Sequence, residues 1–315
     1  MSPSRNVGHF IPPATVLIDE PTVDLTVSNL LIALRAKLVA ANVDSPALSA
    51  RLLVAYGLGM DALELVICPD RKLTMEEYWR IWELAVRRGR GEPIAYLLEE
   101  KEFYGLPFTC SPVALVPRPE TESLVDEARR RFSADVPLCF ADLGTGSGIL
   151  AVTLAYLFPR SLGLALDTSP EALALAQSNA RRHGVVGRIV FLRADFSRPF
   201  CRPGLLDIVM ANPPYMSSIA YVNLSHEILY FEPRQALVSG PTGLEAYAAL
   251  LPWACAALRP SGTLLLEIGW DQGEVLRQLL SGYEVAGRSV LSRVTIHKDL
   301  AGYDRIAVAE RAMLM

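Results

Sequence analysis

From Leu138 onward, short apolar runs alternate with stretches of helical periodicity, and this alternation restricts the fold more than any other feature of the 315-residue chain. Runs at 138–142, 162–166, 188–192, 206–211 and 263–267 read as buried strands. Helical patterns occupy 147–157, 170–182, 243–258 and 271–280. Strands and helices in alternation pack as a doubly wound sheet with helices on both faces. Two last runs, 283–290 and 303–309, have no helical stretch between them, which predicts an antiparallel pair at one edge. The expected fold class is α/β, a seven-stranded Rossmann-like sheet.

The chain before Leu138 is organised differently. Residues 1–22 hold Pro12, Pro13 and Pro21 with little periodicity and read as a loose extension. From about Val23 to Arg90 the pattern is helical: Leu30, Leu31, Leu34 and Leu38 recur at spacings of three and four. Asp44-Ser45-Pro46 marks a helix start, Leu48, Leu52, Leu53 and Tyr56 its apolar face, and Gly57 and Gly59 its end. Thr74 with Glu77 three residues on has the form of a capping box. The helix that follows carries Trp79, Trp82, Leu84 and Val86 and ends in Arg87, Arg88 and Arg90. Those arginines either complement the helix dipole or dock an acidic or RNA-containing partner. Three units are expected: a small helical domain over 22–92, a β-hairpin linker over 93–117 and the sheet domain over 118–315. Pro119 with Glu120 and Glu122 starts a helix at the head of the third.

Composition narrows the function. Net charge is −4 and no basic tail is present, so a broad nucleic-acid footprint is not expected. The five cysteines are scattered without a Cys-x-x-Cys pair, as small core residues of a reducing compartment are. The four histidines have no metal-ligand spacing. No secretory segment opens the chain and no clean 18-residue apolar span occurs, which makes the cytoplasm the expected location.

Two stretches carry the chemistry. Phe140-Ala141-Asp142-Leu143-Gly144-Thr145-Gly146-Ser147-Gly148 is a strand, a Gly-rich turn and a helix start. It lacks the Gly-x-Gly-x-x-Gly of dinucleotide sites, because position 149 is Ile. Asp142 beside the turn disfavours a pyrophosphate and suits a cationic amine. Asp167 ends the next strand, where a carboxylate accepts both hydroxyls of a ribose. Asp195 and Phe196 follow a third strand, as an acceptor for an adenine amino group and a face to stack on. An amine, a ribose and an adenine without pyrophosphate describe S-adenosylmethionine. The second stretch is Asn212-Pro213-Pro214-Tyr215, which must end the strand before it because a strand core does not tolerate Pro. The Asn212 side chain and the Pro213 carbonyl offer two adjacent acceptors for the two hydrogens of an NH2 group, and Tyr215 an aromatic face. Read blandly, the stretch is only a turn.

With these residues the chain resembles the HemK-type protein-(glutamine-N5) methyltransferases over roughly 22–310. The motifs are Arg90 to Tyr96, Val116 to Glu122, Asp142 to Gly148, Asn212 to Tyr215, Glu232 to Leu237 and Asp299 to Arg305. The resemblance implies an S-adenosylmethionine-dependent enzyme that methylates a protein glutamine and needs no metal. Its helical domain would recognise the substrate, which in this family is usually the Gly-Gly-Gln motif of a peptide chain release factor. A sister branch modifies a large-subunit ribosomal protein. The resemblance assigns Asp142, Gly144, Thr145, Gly146, Gly148, Asp167, Asp195, Phe196 and Asn212 to the cofactor. It assigns Asn212, Pro213 and Tyr215 to catalysis, and those three with Pro214, Arg118 and Glu120 to substrate. Glu232-Pro233-Arg234 would brace the site, with Arg234 beside an acidic partner, and Ser217 to Tyr230 would contact substrate. The protein is expected to act as a monomer, without sequence-specific nucleic-acid contact and without a membrane. Rival readings are an adenine-N6 methyltransferase of nucleic acid, which needs a basic groove or a base-flipping domain, and a binder that has lost catalysis.

Overall fold

The computed structural model describes residues 25–313. The extension expected over 1–22, the start of the helical domain at 22–24, and His9 lie outside them.

Four helices, α1 (Val27–Ala40), α2 (Pro46–Leu58), α3 (Ala62–Ile67) and α4 (Met75–Gly89), form the first unit. Leu30, Leu34 and Leu38 of α1 bury one stripe against Leu53, Val54 and Ile81. Thr74 and Glu77 make the capping box of α4, and Gly59 closes α2 in the left-handed conformation. The face of α2 is rotated from the expected one. Leu48 and Tyr56 are exposed, while Ala50, Leu53, Val54 and Gly57 face inward. Gly57 lies within the helix: a Cβ there would stand 2.2 Å from Ile81 Cγ1, so the close approach of α4 requires glycine.

The expected 93–117 hairpin is shorter. A short helix α5 (Ile94–Leu97) precedes the paired strands β1 (Glu100–Phe103) and β2 (Leu106–Thr109), and 110–118 is loop. Phe103 and Phe108 of the hairpin sit in the core of the sheet unit. Buried Asn179 ties the hairpin down. It exchanges hydrogen bonds with the Thr109 backbone at 2.9 and 3.1 Å, and its Nδ2 also donates to Ser147 O at 2.9 Å.

The sheet unit runs α6 (Glu122–Arg131), β3 (Cys139–Leu143), α7 (Ile149–Leu157), β4 (Leu162–Asp167), α8 (Pro170–Arg182), β5 (Ile189–Arg193) and β6 (Leu206–Ala211). It continues through β7 (Met216–Ser217), α9 (Ser218–Tyr221), α10 (His226–Phe231), β8 (Val238–Gly240), α11 (Glu245–Ala257), β9 (Leu258–Glu267) and α12 (Gly273–Ser281). A small hairpin, β10 (Glu284–Val285) with β11 (Arg288–Ser289), then leads into β12 (Leu291–Lys298) and β13 (Asp304–Arg311). The seven-stranded order is β12-β13-β9-β6-β3-β4-β5. The five strands from β9 to β5 are parallel, and β13 and β12 add antiparallel at the other edge. The strand expected at 283–290 is corrected to 291–298. Its sequence Leu-Ser-Arg-Val-Thr-Ile-His-Lys is polar because it is an edge strand, and charged edges resist pairing with other chains.

Successive strand residues face opposite cores, as the pleat dictates. Phe140, Ile208 and Leu265 pack under α6 and α7, whereas Ala141, Val209 and Leu264 pack under α11 and α12. The chain leaves β3 outward through β4 and β5, then returns to β6 on the other side of β3. The carboxyl ends of β3 and β6 therefore flank the point where strand order reverses, which is where open α/β sheets bind ligands.

Candidate active site

The carboxyl ends of the central strands supply the side chains of one cleft. Asp142 lies in β3 and Asp167 ends β4, Asn212 follows β6, and Glu267 ends β9. The register sets Leu143 beside Ala211 and Ala211 beside Leu266, so the β3, β6 and β9 ends are level. The loop after the hairpin, with Ala114, Leu115 and Val116, forms the facing wall. That loop is fixed by the Tyr96 hydroxyl donating to Ala114 O at 2.8 Å. Val116 N donates to Glu232 Oε2 at 3.3 Å.

Asp142 is fully buried. Its Oδ2 accepts from the Thr145 hydroxyl at 2.7 Å and from Ala151 N at 3.1 Å. Its Oδ1 is buried with no partner. Burial is the main cause that pushes this carboxyl up to about 6. A buried carboxylate oxygen without a donor is costly unless a ligand supplies one, and an ammonium group is the donor that also opposes the charge. The turn leaves the ligand room: a Cβ at Gly144 would meet only Phe196, at 4.0 Å. Asp167 accepts from Gly146 N and Ser169 N, both at 2.9 Å, which fixes its carboxylate at the cleft edge with lone pairs remaining. These residues fit the amine, ribose and adenine of S-adenosylmethionine.

Asp142, Gly144, Thr145, Gly146, Asp167, Phe196, Asn212, Pro214 and Arg118 all line the cleft. Five residues assigned from sequence stand elsewhere. Gly148 has φ +85° and sits where a Cβ would be 2.9 Å from Ala176 Cβ, so its place is helix packing. Asp195 is exposed, and its carboxylate accepts from Ser197 N at 2.8 Å, within its own turn. Pro213 is buried beside Asn212. Tyr215 packs behind the cleft against the α11 core. Gln272 Nε2 donates to its backbone carbonyl at 2.9 Å, and its side chain reaches Glu267. Glu120 is exposed.

Arg118 lines the cleft, but its guanidinium is paired with the buried Glu232 carboxylate. Glu232 thus braces the loop that carries Val116. Among the described residues Arg234 meets no acidic partner; it lies over the Tyr221 ring, 5.4 Å from the centroid. Of the arginines ending α4, Arg87 chelates Glu92 through two bonds of 2.8 and 2.6 Å. Arg88 is buried and crosses to Glu227 of α10 at 2.7 Å, joining the helical unit to the sheet unit.

Two residues of the site escaped the sequence reading. Asn212 Nδ2 donates to Thr121 Oγ1 at 3.2 Å, and the Thr121 hydroxyl donates to Glu267 Oε2 at 2.6 Å. The only sequence signal for Glu267 is an acidic residue closing an apolar strand, the same signal that marked Asp167. Among the described residues no helix is long and apolar enough to cross a membrane.

Residues 29–98 match the PrmC N-terminal domain and residues 129–244 the methyltransferase small domain. The release factor glutamine methyltransferase of Nitratidesulfovibrio vulgaris is 44% identical over 289 residues, 92% of this chain and 96% of that protein. Those of Moorella thermoacetica and Bradyrhizobium diazoefficiens are 38% and 36% identical, covering 87% and 95% of this chain and 95% and 99% of their own lengths.

Proposed function

The chain belongs to the release factor glutamine methyltransferase family, and from that premise we propose how its own residues methylate a glutamine side-chain nitrogen (N5) in the Gly-Gly-Gln motif of a peptide chain release factor. One observation carries the reading. Asn212 has its NH2 engaged by Thr121, which turns Oδ1 toward a cleft that also holds the unpartnered oxygen of Asp142.

S-adenosylmethionine supplies an electrophilic methyl on a sulfonium. Asp142 would hold its amine, Asp167 its ribose and Phe196 its adenine. A glutamine amide nitrogen is a poor nucleophile, because its lone pair is delocalised into the carbonyl. Asn212 Oδ1 accepts one of its N–H bonds and aims the nitrogen at the methyl. The rate gain is positioning and electrostatics in a site closed by the Ala114–Val116 loop. The nitrogen becomes acidic only on methylation, so its proton leaves afterwards and no strong base is needed.

The segment after Tyr215 is the natural wall for the protein substrate: Ile219 of α9, Val222 just after it and Tyr230 of α10 are exposed. The helical unit, joined to α10 through Arg88 and Glu227, would contact the body of the release factor. The chain would act as a cytoplasmic monomer. Incubating the protein with radiolabelled S-adenosylmethionine, a purified release factor and ribosomes tests the proposal. Label on the release factor glutamine supports it, and label confined to a ribosomal protein or to RNA overturns it.

A further inference from the structure

The Asn212 amide serves the reaction in only one of its two orientations. With Oδ1 toward the cleft it accepts a substrate N–H; turned over, it sets its own NH2 against the substrate's. The two ends of the amide have nearly the same shape, so its neighbours must decide. Its neighbour is a hydroxyl, and a hydroxyl has one proton. While Glu267 is ionised it can only accept, the Thr121 proton is committed to it at 2.6 Å, and Thr121 Oγ1 is left to accept from Asn212 at 3.2 Å.

We propose that Glu267 and Thr121 are positioning residues that lock the Asn212 amide in its accepting orientation, and that protonation of Glu267 unlocks it. The inference rests on the reading of Asn212 as the grip on the substrate amide. A protonated Glu267 donates its own O–H to Thr121, which releases the Thr121 proton toward Asn212. The amide then turns to give Oδ1 to that proton and presents NH2 to the cleft.

The surroundings make this exchange accessible. Glu267 is 1% exposed. The Thr121 hydroxyl and the Glu120 carboxylate face it from the turn before α6, the Tyr215 side chain from beyond β6, and Arg305 from β13. From α11 the Tyr247 hydroxyl binds its backbone carbonyl at 2.9 Å, leaving the carboxylate alone. Arg305 makes no ion pair with Glu267, because Asp299 holds its guanidinium at 3.0 and 3.2 Å. Burial, reinforced by Glu120 and opposed by Thr121, Arg305 and Tyr215, raises the carboxyl to about 7. The active orientation therefore fills as pH rises through neutrality.

The test is the pH profile of single-turnover methyl transfer to a purified release factor at saturating S-adenosylmethionine, with cofactor affinity measured by calorimetry. The wild-type rate should rise with pH through a midpoint near 7. Thr121→Val should slow transfer by about 10-fold or more, abolish the acid limb and leave cofactor affinity unchanged. Thr121→Ser, which keeps the hydroxyl, should restore both rate and limb. Glu267→Gln should bind cofactor and show no limb. A wild-type rate and profile in Thr121→Val, or an unchanged limb in Glu267→Gln, overturns the inference while the wild type still methylates the release factor. A wild type inactive on the release factor overturns the underlying reading as well.

Discussion

The helical unit and the sheet unit bury different chemistry. The core of the helices is Leu, Val, Ile and Ala. Its one fully buried charged residue among the described residues, Arg88, points out of it toward Glu227. Among the described residues the sheet unit buries five carboxylates, Glu127, Asp142, Asp207, Glu232 and Glu267. Three of these have a cation in contact: Glu127 meets Arg130 and Arg131, Asp207 meets Arg259, and Glu232 meets Arg118. Asp142 and Glu267 have none, and both stand at strand ends beside the reversal of strand order. A paired buried carboxylate braces the fold, whereas an unpaired one marks the place where a ligand or a reacting group completes it.

This contrast can be broken by mutation. In the helical core Leu34→Ala should remove about 2–5 kcal/mol of stability and leave cofactor affinity untouched. Urea unfolding combined with calorimetry checks both halves, and a fall in affinity would mean that the two units are not separable in this way. Asp142→Asn should do the opposite. The fold raises this carboxyl from 3.8 to about 6, so the wild type keeps its full stability below pH 4 and loses some as pH rises through 6. The Asn variant escapes that loss, worth up to about 3 kcal/mol at about 1.4 kcal/mol per pKa unit. Denaturation at pH 8 without cofactor should show it more stable than wild type, and the same variant should bind S-adenosylmethionine poorly. Equal stability at pH 8 would mean that Asp142 is not a buried charge waiting for a partner.

At the next strand end, Asp167→Ala should weaken cofactor binding by about 1–3 kcal/mol, the scale of hydrogen bonds to a charged group; unchanged affinity in a titration would remove it from the ribose. The smallest effect belongs to the joint between the units. Glu227 is one-third exposed, so Glu227→Gln should alter stability by less than about 1 kcal/mol. A larger change in thermal unfolding would show that Arg88 is held chiefly by this ion pair.

The parts legible in the sequence were those fixed by local chemistry. Pro213 ends β6, Thr74 and Glu77 cap α4, and the Gly144–Gly146 turn opens the cleft, each from neighbours within a few residues. What escaped depends on distant partners. Thr121 and Asn212 are separated by 91 residues and Thr121 and Glu267 by 146, and only the packing of the turn before α6 against the ends of β6 and β9 brings them together. Leu48 and Tyr56 fit a helical period yet lie outward, because Gly57 draws α4 onto the other face of α2. The edge strand β12 is not legible in the sequence, since its alternation is largely polar and the apolar signal before it belongs to the β10–β11 hairpin.

The central claim is that Asn212 holds the substrate amide and touches neither the adenine nor the ribose of the cofactor. The direct measurement is turnover of Asn212→Ala on a purified release factor, with the methyl site mapped by mass spectrometry and S-adenosylmethionine affinity taken on the same sample. The account predicts nearly intact affinity and methyl transfer slowed by about 10²-fold or more. Asn212→Asp should be as damaging, because a carboxylate cannot donate to Thr121 and would stand near Glu267. Normal turnover in the Ala variant would contradict the account.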